Sequence, residues 1–429
     1  MTAALILVIL LTLLLTSTPI SIALGTTVMI YLLGFSSFSF ETVNIISQRL
    51  FTGLEMFSIM AIPFFVLSGQ FLIDGKIASR IVRFANNLVG WLPGGMGMAT
   101  VLACAFFATI SGSSTATVMA IGSVMLPAMI KVGYPKRFSI GVITSSGTLG
   151  ILFPPSIVMI IYAVATSESA GKLFIAGIVP GILLAVIMMS LVFIQAKRKN
   201  FPTVPKPTAA EFWTSFRDAW GGIFMVVLVI GGIYGGLFTP TEAAAVAAVY
   251  SFVAAKFFYG DLKWKQVPRT LLNAANTSAM LLYIITNAIL FSFLMTSEQI
   301  PQEMSQWMVD QNLQPWMFLL MVNLALIAAG QFMEPTSIVL ILAPLFLPIA
   351  KNMGIDPIHL GIIMVVNMEI GLIHPPVGLN LFVSSHLAKM GLTEVSIAAL
   401  PWVGVMLVYL GLITYVPIIS TWLPHLLYK

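Results

Sequence analysis

Charge is what this chain has least of. Only 8% of its 429 residues are Asp, Glu, Lys or Arg, against about 25% in ordinary globular proteins. So few charges cannot cover the surface of a soluble protein this long, which excludes soluble enzymes, nucleic-acid binders and disordered scaffolds. Cysteine is nearly absent too. Cys104 stands alone, which excludes an intrachain disulfide and any cysteine-based metal site, and it is expected to pack as a small hydrophobe. There is no long basic run, so the net charge of +5 does not point to nucleic acid. Met1 to Thr18 holds no Lys or Arg, whereas a signal peptide needs a basic start. Two short spans meeting at Ser17-Thr18-Pro19 are the better reading. Neither a His-Glu-x-x-His spacing nor a Walker-type loop occurs, so zinc proteolysis and direct use of ATP are not expected.

What the chain has in excess is apolar sequence, 59% of the total. A membrane span needs about 20 such residues. Spans are predicted near 3–17, 20–36, 54–73, 139–165, 180–196, 221–238, 240–258, 270–296, 357–387 and 401–423. Two further stretches, 97–130 and 316–350, are interrupted at their centres. The breaks are Ser111-Gly112-Ser113-Ser114-Thr115 and Gly330-Gln331-Phe332-Met333-Glu334-Pro335-Thr336. Two helical arms around a polar tip read as a re-entrant hairpin. With both stretches as hairpins, 16 of the 20 basic residues fall on one face, among them Lys76, Lys131, Lys197 and Lys263. Arg49, Lys172, Lys351 and Lys429 fall on the other. The positive-inside bias then places the richer face in the cytoplasm and both termini outside. Between the spans, 197–220 contains Pro202, Pro205 and Pro207 and reads as a linker, followed by a Phe212, Trp213, Phe216, Trp220 stripe suited to the membrane interface.

A repeat at one fixed offset organises the rest. Thr115 matches Thr336, Val118 matches Val339, Leu126-Pro127 matches Leu347-Pro348, and Gly133 matches Gly354. At the same spacing Gly150 matches Gly371, Pro154-Pro155 matches Pro375-Pro376, and Pro180 matches Pro401. Gly, Pro and Thr agreeing in one register without a gap are not coincidences of an apolar composition. Five predicted spans separate the hairpins, and an odd number inverts the second copy. Inverted repeats with broken helices are the sequence signature of secondary transporters. The expected fold class is therefore an all-α polytopic membrane protein with inverted repeats, two re-entrant hairpins and two broken helices. The predicted division is scaffold with an arm helix at 1–96, first repeat at 97–179, central scaffold at 180–315, second repeat at 316–400 and a C-terminal helix at 401–429.

Each repeat also carries a break in the span after its hairpin. The first runs from Ser145 through Gly147, Thr148 and Gly150 to Pro154-Pro155. The second runs from Asn367 through Met368, Glu369 and Gly371 to His374 and Pro375-Pro376. Glycine followed by Pro-Pro reads as half-helix, unwound segment, half-helix. Such a break frees carbonyls for a hard cation and amide N–H groups for an anion. The predicted design is one sodium site per repeat with an anionic substrate between the tips. Candidate sodium ligands are Ser111, Ser113, Ser114, Thr115, Gly147, Thr148 and Gly150 in the first repeat. In the second they are Gly330, Glu334, Thr336, Ser337, Met368 and Gly371. Candidate substrate contacts are Ser113, Ser114, Ser145, Pro154, Pro155, Glu334, Asn367, His374 and Pro375. Hydroxyls in membrane helices also bond their own backbone, Glu334 could cap the helix beginning at Pro335, and Thr239-Pro240-Thr241-Glu242 reads as a structural capping box. An intramembrane hydrolase using Ser113 or Ser114 with His374 is disfavoured, because nucleophile and base come from opposite repeats and no orienting third group is evident.

Several motifs together resemble the large membrane subunit of tripartite ATP-independent periplasmic (TRAP) transporters. They are Ile62-Pro63-Phe64-Phe65-Val66-Leu67-Ser68-Gly69, the first tip with Gly122-Ser123-Val124-Met125-Leu126-Pro127, Gly150-Ile151-Leu152-Phe153-Pro154-Pro155-Ser156, Thr239-Pro240-Thr241-Glu242-Ala243-Ala244, and the Glu334-Pro335 to Pro375-Pro376 stretch. The resemblance covers essentially the whole chain. It implies a sodium-coupled importer of organic acids such as C4-dicarboxylates or sialic acid, with a lean toward the sialic-acid branch, working by an elevator movement in the bacterial inner membrane. It also implies two partners, a small four-span membrane subunit as a separate chain and a periplasmic substrate-binding protein, besides the membrane lipids. A stand-alone sodium/organic-anion symporter or antiporter is the alternative. Neither an enzyme nor an organic cofactor is expected.

Overall fold

The computed structural model describes residues 2–16, 18–35, 46, 48, 50–51, 55–331, 333–375 and 377–428. Ser17, Arg49, Phe332, Pro376 and Lys429, used in the readings above, lie outside the described residues. Nineteen α-helices and no strand occur among those described. In hydrocarbon no water can satisfy a backbone, so each spanning segment must bond to itself, and helices do that locally. Eight of the described helical stretches are long and apolar enough to cross a membrane, and several shorter apolar helices accompany them. The chain is a multi-pass membrane protein.

The first half runs α1 (Thr2–Leu15), α2 (Ile20–Gly34), α3 (Ala61–Asp74), α4 (Ile77–Val89), α5 (Gly95–Ser111), α6 (Ser114–Val132), α7 (Lys136–Ser146), α8 (Ile157–Thr166) and α9 (Ala170–Lys199). The second runs α10 (Ala209–Tyr234), α11 (Pro240–Val253), α12 (Val267–Ser297), α13 (Ile300–Asp310), α14 (Pro315–Gly330), α15 (Pro335–Asn352), α16 (Pro357–Ile373), α17 (Leu379–Ala388), α18 (Leu392–Tyr415) and α19 (Ile418–Leu427). The offset that carries Thr115 onto Thr336 also carries α2 onto α11, α4 onto α13 and α6 onto α15. The repeat therefore reaches well beyond the stretch from Thr115 to Pro180 in which the sequence displays it. The two copies are also interlocked. α2 packs on α12 and α3 on α11, while α8 packs on α15 and α17 on α6.

Both interrupted stretches form paired arms, α5 with α6 and α14 with α15. Gly112 turns the first with φ +57°, a conformation glycine adopts without a Cβ penalty. α4 is amphipathic: Ile77, Ile81, Val82 and Ala85 are buried, while Arg80 and Arg83 pair outward with Asp261 at 2.6 Å and Asp218 at 3.1 Å. Arg137 meets Glu394, Lys351 meets Glu168, and His425 approaches Asp356. Each of these five pairs joins residues on one predicted face, and none of the five bridges the two.

Several boundaries differ from the sequence reading. Pro180 and Pro401 lie inside α9 and α18 rather than opening a span, so the predicted divisions at 180 and 401 cut through continuous helices. The two helices are tied together there, the Pro180 carbonyl accepting from the Tyr409 hydroxyl at 2.8 Å. α10 begins at Ala209 with a Thr208–Glu211 capping box, so the aromatic stripe and the following span form one helix. The C-terminal span is two helices, since α18 ends at Tyr415 and Pro417 caps α19.

Candidate substrate and cation site

Ser111 closes α5, Gly112 makes the turn, and Ser113 stands at the N-cap of α6 without a side-chain capping bond. Its backbone carbonyl accepts from Thr117 Oγ1 at 2.8 Å, and Ser111 Oγ and Thr117 Oγ1 share a hydrogen bond of 2.9 Å. Ser113 and Thr115 hydroxyls lie 3.3 Å apart. Ser114 is buried, and its Oγ donates to the Gly147 carbonyl at 3.0 Å. The first tip is thereby tied to the first break. Gly150 comes so close that a Cβ there would sit 2.6 Å from the Ser113 carbonyl oxygen.

At that break α7 ends at Ser146 and Gly147–Ile151 continues as one tight 3₁₀ segment. Ser145 Oγ and Ser146 Oγ are buried with no hydrogen-bond partner among the described residues. Thr148 Oγ1 donates back to the Ser145 carbonyl at 2.7 Å. Pro154 and Pro155 are buried, and α8 restarts at Ile157 with Ser156 capping it through the Met159 amide.

The second break is built differently. Asn367, Met368, Glu369 and Gly371 lie within continuous α16, and the helix gives way only at His374. Glycine need not end a helix where its missing side chain is required for contact. A Cβ on Gly371 would lie 2.8 Å from the Gly330 Cα, so these two glycines let the second tip and α16 touch backbone to backbone. α16 thus ends at Ile373, and α17 begins at Leu379. His374 Nδ1 meets the Pro375 carbonyl at 2.6 Å, and neither residue lines the cavity described below.

At the second tip Glu334 occupies the N-cap position of α15 but makes no side-chain cap bond, so the capping role does not account for it. Glu334 Oε1 and Ser337 Oγ are buried without hydrogen-bond partners among the described residues. Thr336 is buried beside them. Glu242, by contrast, closes a complete capping box with Thr239, accepting from its backbone N–H at 2.8 Å.

A cavity of about 260 Å³ brings the tips together. Ser111 to Ala116 line it from one side and Glu334 to Thr336 from the other, with Ile151 and Leu372 from the two breaks. Ile157 and Leu379 also line it. Ser114, Ile157, Pro335 and Leu379 are the first residues of α6, α8, α15 and α17, so four helix N-termini converge there. No Lys or Arg is among the described lining residues. Two polar linings escape the sequence reading. Gln70 on α3 and Thr277 on α12 contribute from the helices facing the tips. Asn367 goes elsewhere. Its Nδ2 donates to Asn323 Oδ1 at 2.8 Å, and Asn323 Nδ2 donates to Thr414 Oγ1 at 2.9 Å, a buried ladder on α16, α14 and α18.

Two interlocked copies of one repeat, closing on a cavity that both tips line, fit a transporter subunit rather than an enzyme. The family described as the tripartite ATP-independent periplasmic transporter, DctM component, matches residues 7–419, and the chain belongs to it. It is 54% identical, over the full length of both chains, to a protein of Rhodobacter capsulatus named C4-dicarboxylate TRAP transporter large permease protein DctM. A protein of the same name from Pseudomonas aeruginosa is 52% identical over 90% of this chain and 91% of that one. The sialic acid TRAP transporter permease protein SiaT of Haemophilus influenzae is 35% identical over 92% of this chain and 64% of its own. In fold the chain is similar to the Alcanivorax borkumensis YdaH transporter, with a TM-score of 0.66 over 88% of each chain at 13% identity.

Proposed function

We propose that this chain imports a C4-dicarboxylate across the bacterial inner membrane, coupled to sodium, by an elevator movement. The observation that carries this reading is the cavity between the tips. Four helix N-termini and no basic side chain among the described residues face it, and each N-terminus presents roughly half a positive charge with free N–H donors. That arrangement suits an anion with two carboxylates, one toward each tip. Glu334 lines the same cavity, and a carboxylate beside an anion at membrane depth needs a cation between them. The residues fit sodium. Glu334 Oε1 and Ser337 Oγ are buried oxygens lacking partners among the described residues, and hard cations take oxygen ligands. Bound sodium would supply charge compensation and hold the tips closed.

Within that scheme Ser111, Ser113, Ser114, Thr115, Gly147, Thr148 and Gly150 serve a first cation site. Gly330, Glu334, Thr336, Ser337, Met368 and Gly371 serve a second. Residues 97–179 and 316–400 form the moving unit, and Gln70 and Thr277 belong to the wall it slides against. A C4-dicarboxylate is preferred over sialic acid because the relatives named for dicarboxylates are 54% and 52% identical, while that named for sialic acid is 35% identical. A separate four-span membrane subunit and a periplasmic binding protein complete the assembly, with both termini of this chain periplasmic. The SiaT relative is longer than the stretch it shares with this chain, room enough for a fused small subunit. The test is uptake of labelled succinate and sialic acid into proteoliposomes holding this chain and its small subunit. The reading predicts succinate entry that needs an inward sodium gradient and the binding protein. Entry without the binding protein would favour the stand-alone symporter.

A further inference from the structure

At the first tip one side chain arrives from the opposite repeat. Asn380 lies on α17, the helix that follows α16, and is fully buried. Its Nδ2 donates to Ser114 Oγ at 2.7 Å and reaches the Thr144 carbonyl at 3.5 Å. Ser114 Oγ in turn donates to the Gly147 carbonyl. One turn along α17, Ser384 Oγ accepts from Thr144 Oγ1 at 2.6 Å. Asn380 and Ser384 thus form a polar stripe laid over the end of α7 and the start of α6. The equivalent position on α8, in the register of the repeat, is the apolar Met159, so only the first tip receives such a residue.

The same amide leaves Asn380 Oδ1 buried with no hydrogen-bond partner among the described residues. A buried oxygen without a donor is costly unless something positive meets it. Nearby stand the C-terminal end of α7, which favours a cation, and two neutral oxygens, Ser114 Oγ and Gly147 O, each with a lone pair to spare.

We propose that Asn380 is a ligand and positioning residue for a monovalent cation at the first tip, supplied by the second repeat. Nδ2 fixes the Ser114 hydroxyl, and Oδ1 joins Ser114 Oγ and Gly147 O around the ion. Filling the site then clamps α17 to α6, so cation binding in one repeat is felt by the other. This deepens the proposed sodium coupling and rests on it.

The experiment is thermal unfolding of the purified full chain, titrated with sodium chloride against choline chloride at constant ionic strength. Wild-type protein gains stability with sodium and saturates. Asn380→Leu, which removes both polar atoms, shifts the half-saturating sodium concentration upward by about ten-fold or more. Asn380→Asp keeps the oxygens and restores the midpoint. Asn380→Ser is too short to reach and repeats the loss, which keeps the test open if the leucine variant does not fold. A midpoint unchanged in the Leu or Ser variant, with unfolding lowered equally in both salts, makes Asn380 a packing residue and overturns the inference alone. A wild-type chain indifferent to sodium overturns the cation reading and the inference together.

Discussion

Gly330 and Gly371 leave each other no room for a side chain. A Cβ on either would meet backbone atoms of the other at 2.8–3.0 Å, and backbone cannot swing aside as a side chain can. Gly371→Ala is therefore expected to cost about 1–3 kcal/mol, read as a lower unfolding temperature together with reduced transport. Gly404 on α18 has nothing within 4 Å, so Gly404→Ala should leave stability unchanged or slightly raised. Ser114→Ala removes the donor to Gly147 and the acceptor of Asn380. Its expected effect is a rise of about ten-fold in the sodium needed for half-maximal uptake, with maximal uptake retained. All-or-none loss at every sodium concentration would instead fit a nucleophile. The tip hydroxyls are legible as polar residues at a helix break. Asn380, Gln70 and Thr277 are not, because none sits at a helix break or in a motif and the importance of each comes from what folds against it.

Among the elements, the capping box at the start of α11 is a self-contained device. Thr239 and Glu242 satisfy two helix-end donors reciprocally, and the sequence displays the motif in full. Thr239→Ala should cost about 1 kcal/mol and leave the sodium midpoint of uptake untouched, which separates stability from ion binding. The broken helices are only half legible. Glycine followed by Pro-Pro locates both breaks, yet α16 stays helical past Gly371 while α7 gives way at Gly147. Gly371 serves a close approach rather than a stop, and a single sequence shows the glycine without the backbone it meets. Pro180 and Pro401 mislead for a related reason. Proline disfavours a helix interior by local rules, but a long helix bonded on both sides of it tolerates the loss of one donor.

Across the whole molecule the inverted repeat is readable because Gly, Pro and Thr keep one register from Thr115 and Thr336 onward. Its extension to α2, α4, α11 and α13 is not, since those helices preserve position without preserving residues. Interlocking follows from the same symmetry. With α8 on α15 and α17 on α6, each hairpin is held by the other repeat and the two tips meet at one cavity; under the proposed coupling an ion at one would bias the other. Glu334 is the charged centre of that arrangement. Glu334→Gln is expected to weaken sodium dependence while sparing the fold, checked by uptake and unfolding on the same preparation. The most direct test of the account is simultaneous entry of labelled sodium and labelled succinate into vesicles containing the assembled transporter. The account predicts sodium entry that appears only with succinate and the binding protein, and that falls in the Glu334→Gln variant. Succinate entry with no accompanying sodium would contradict it.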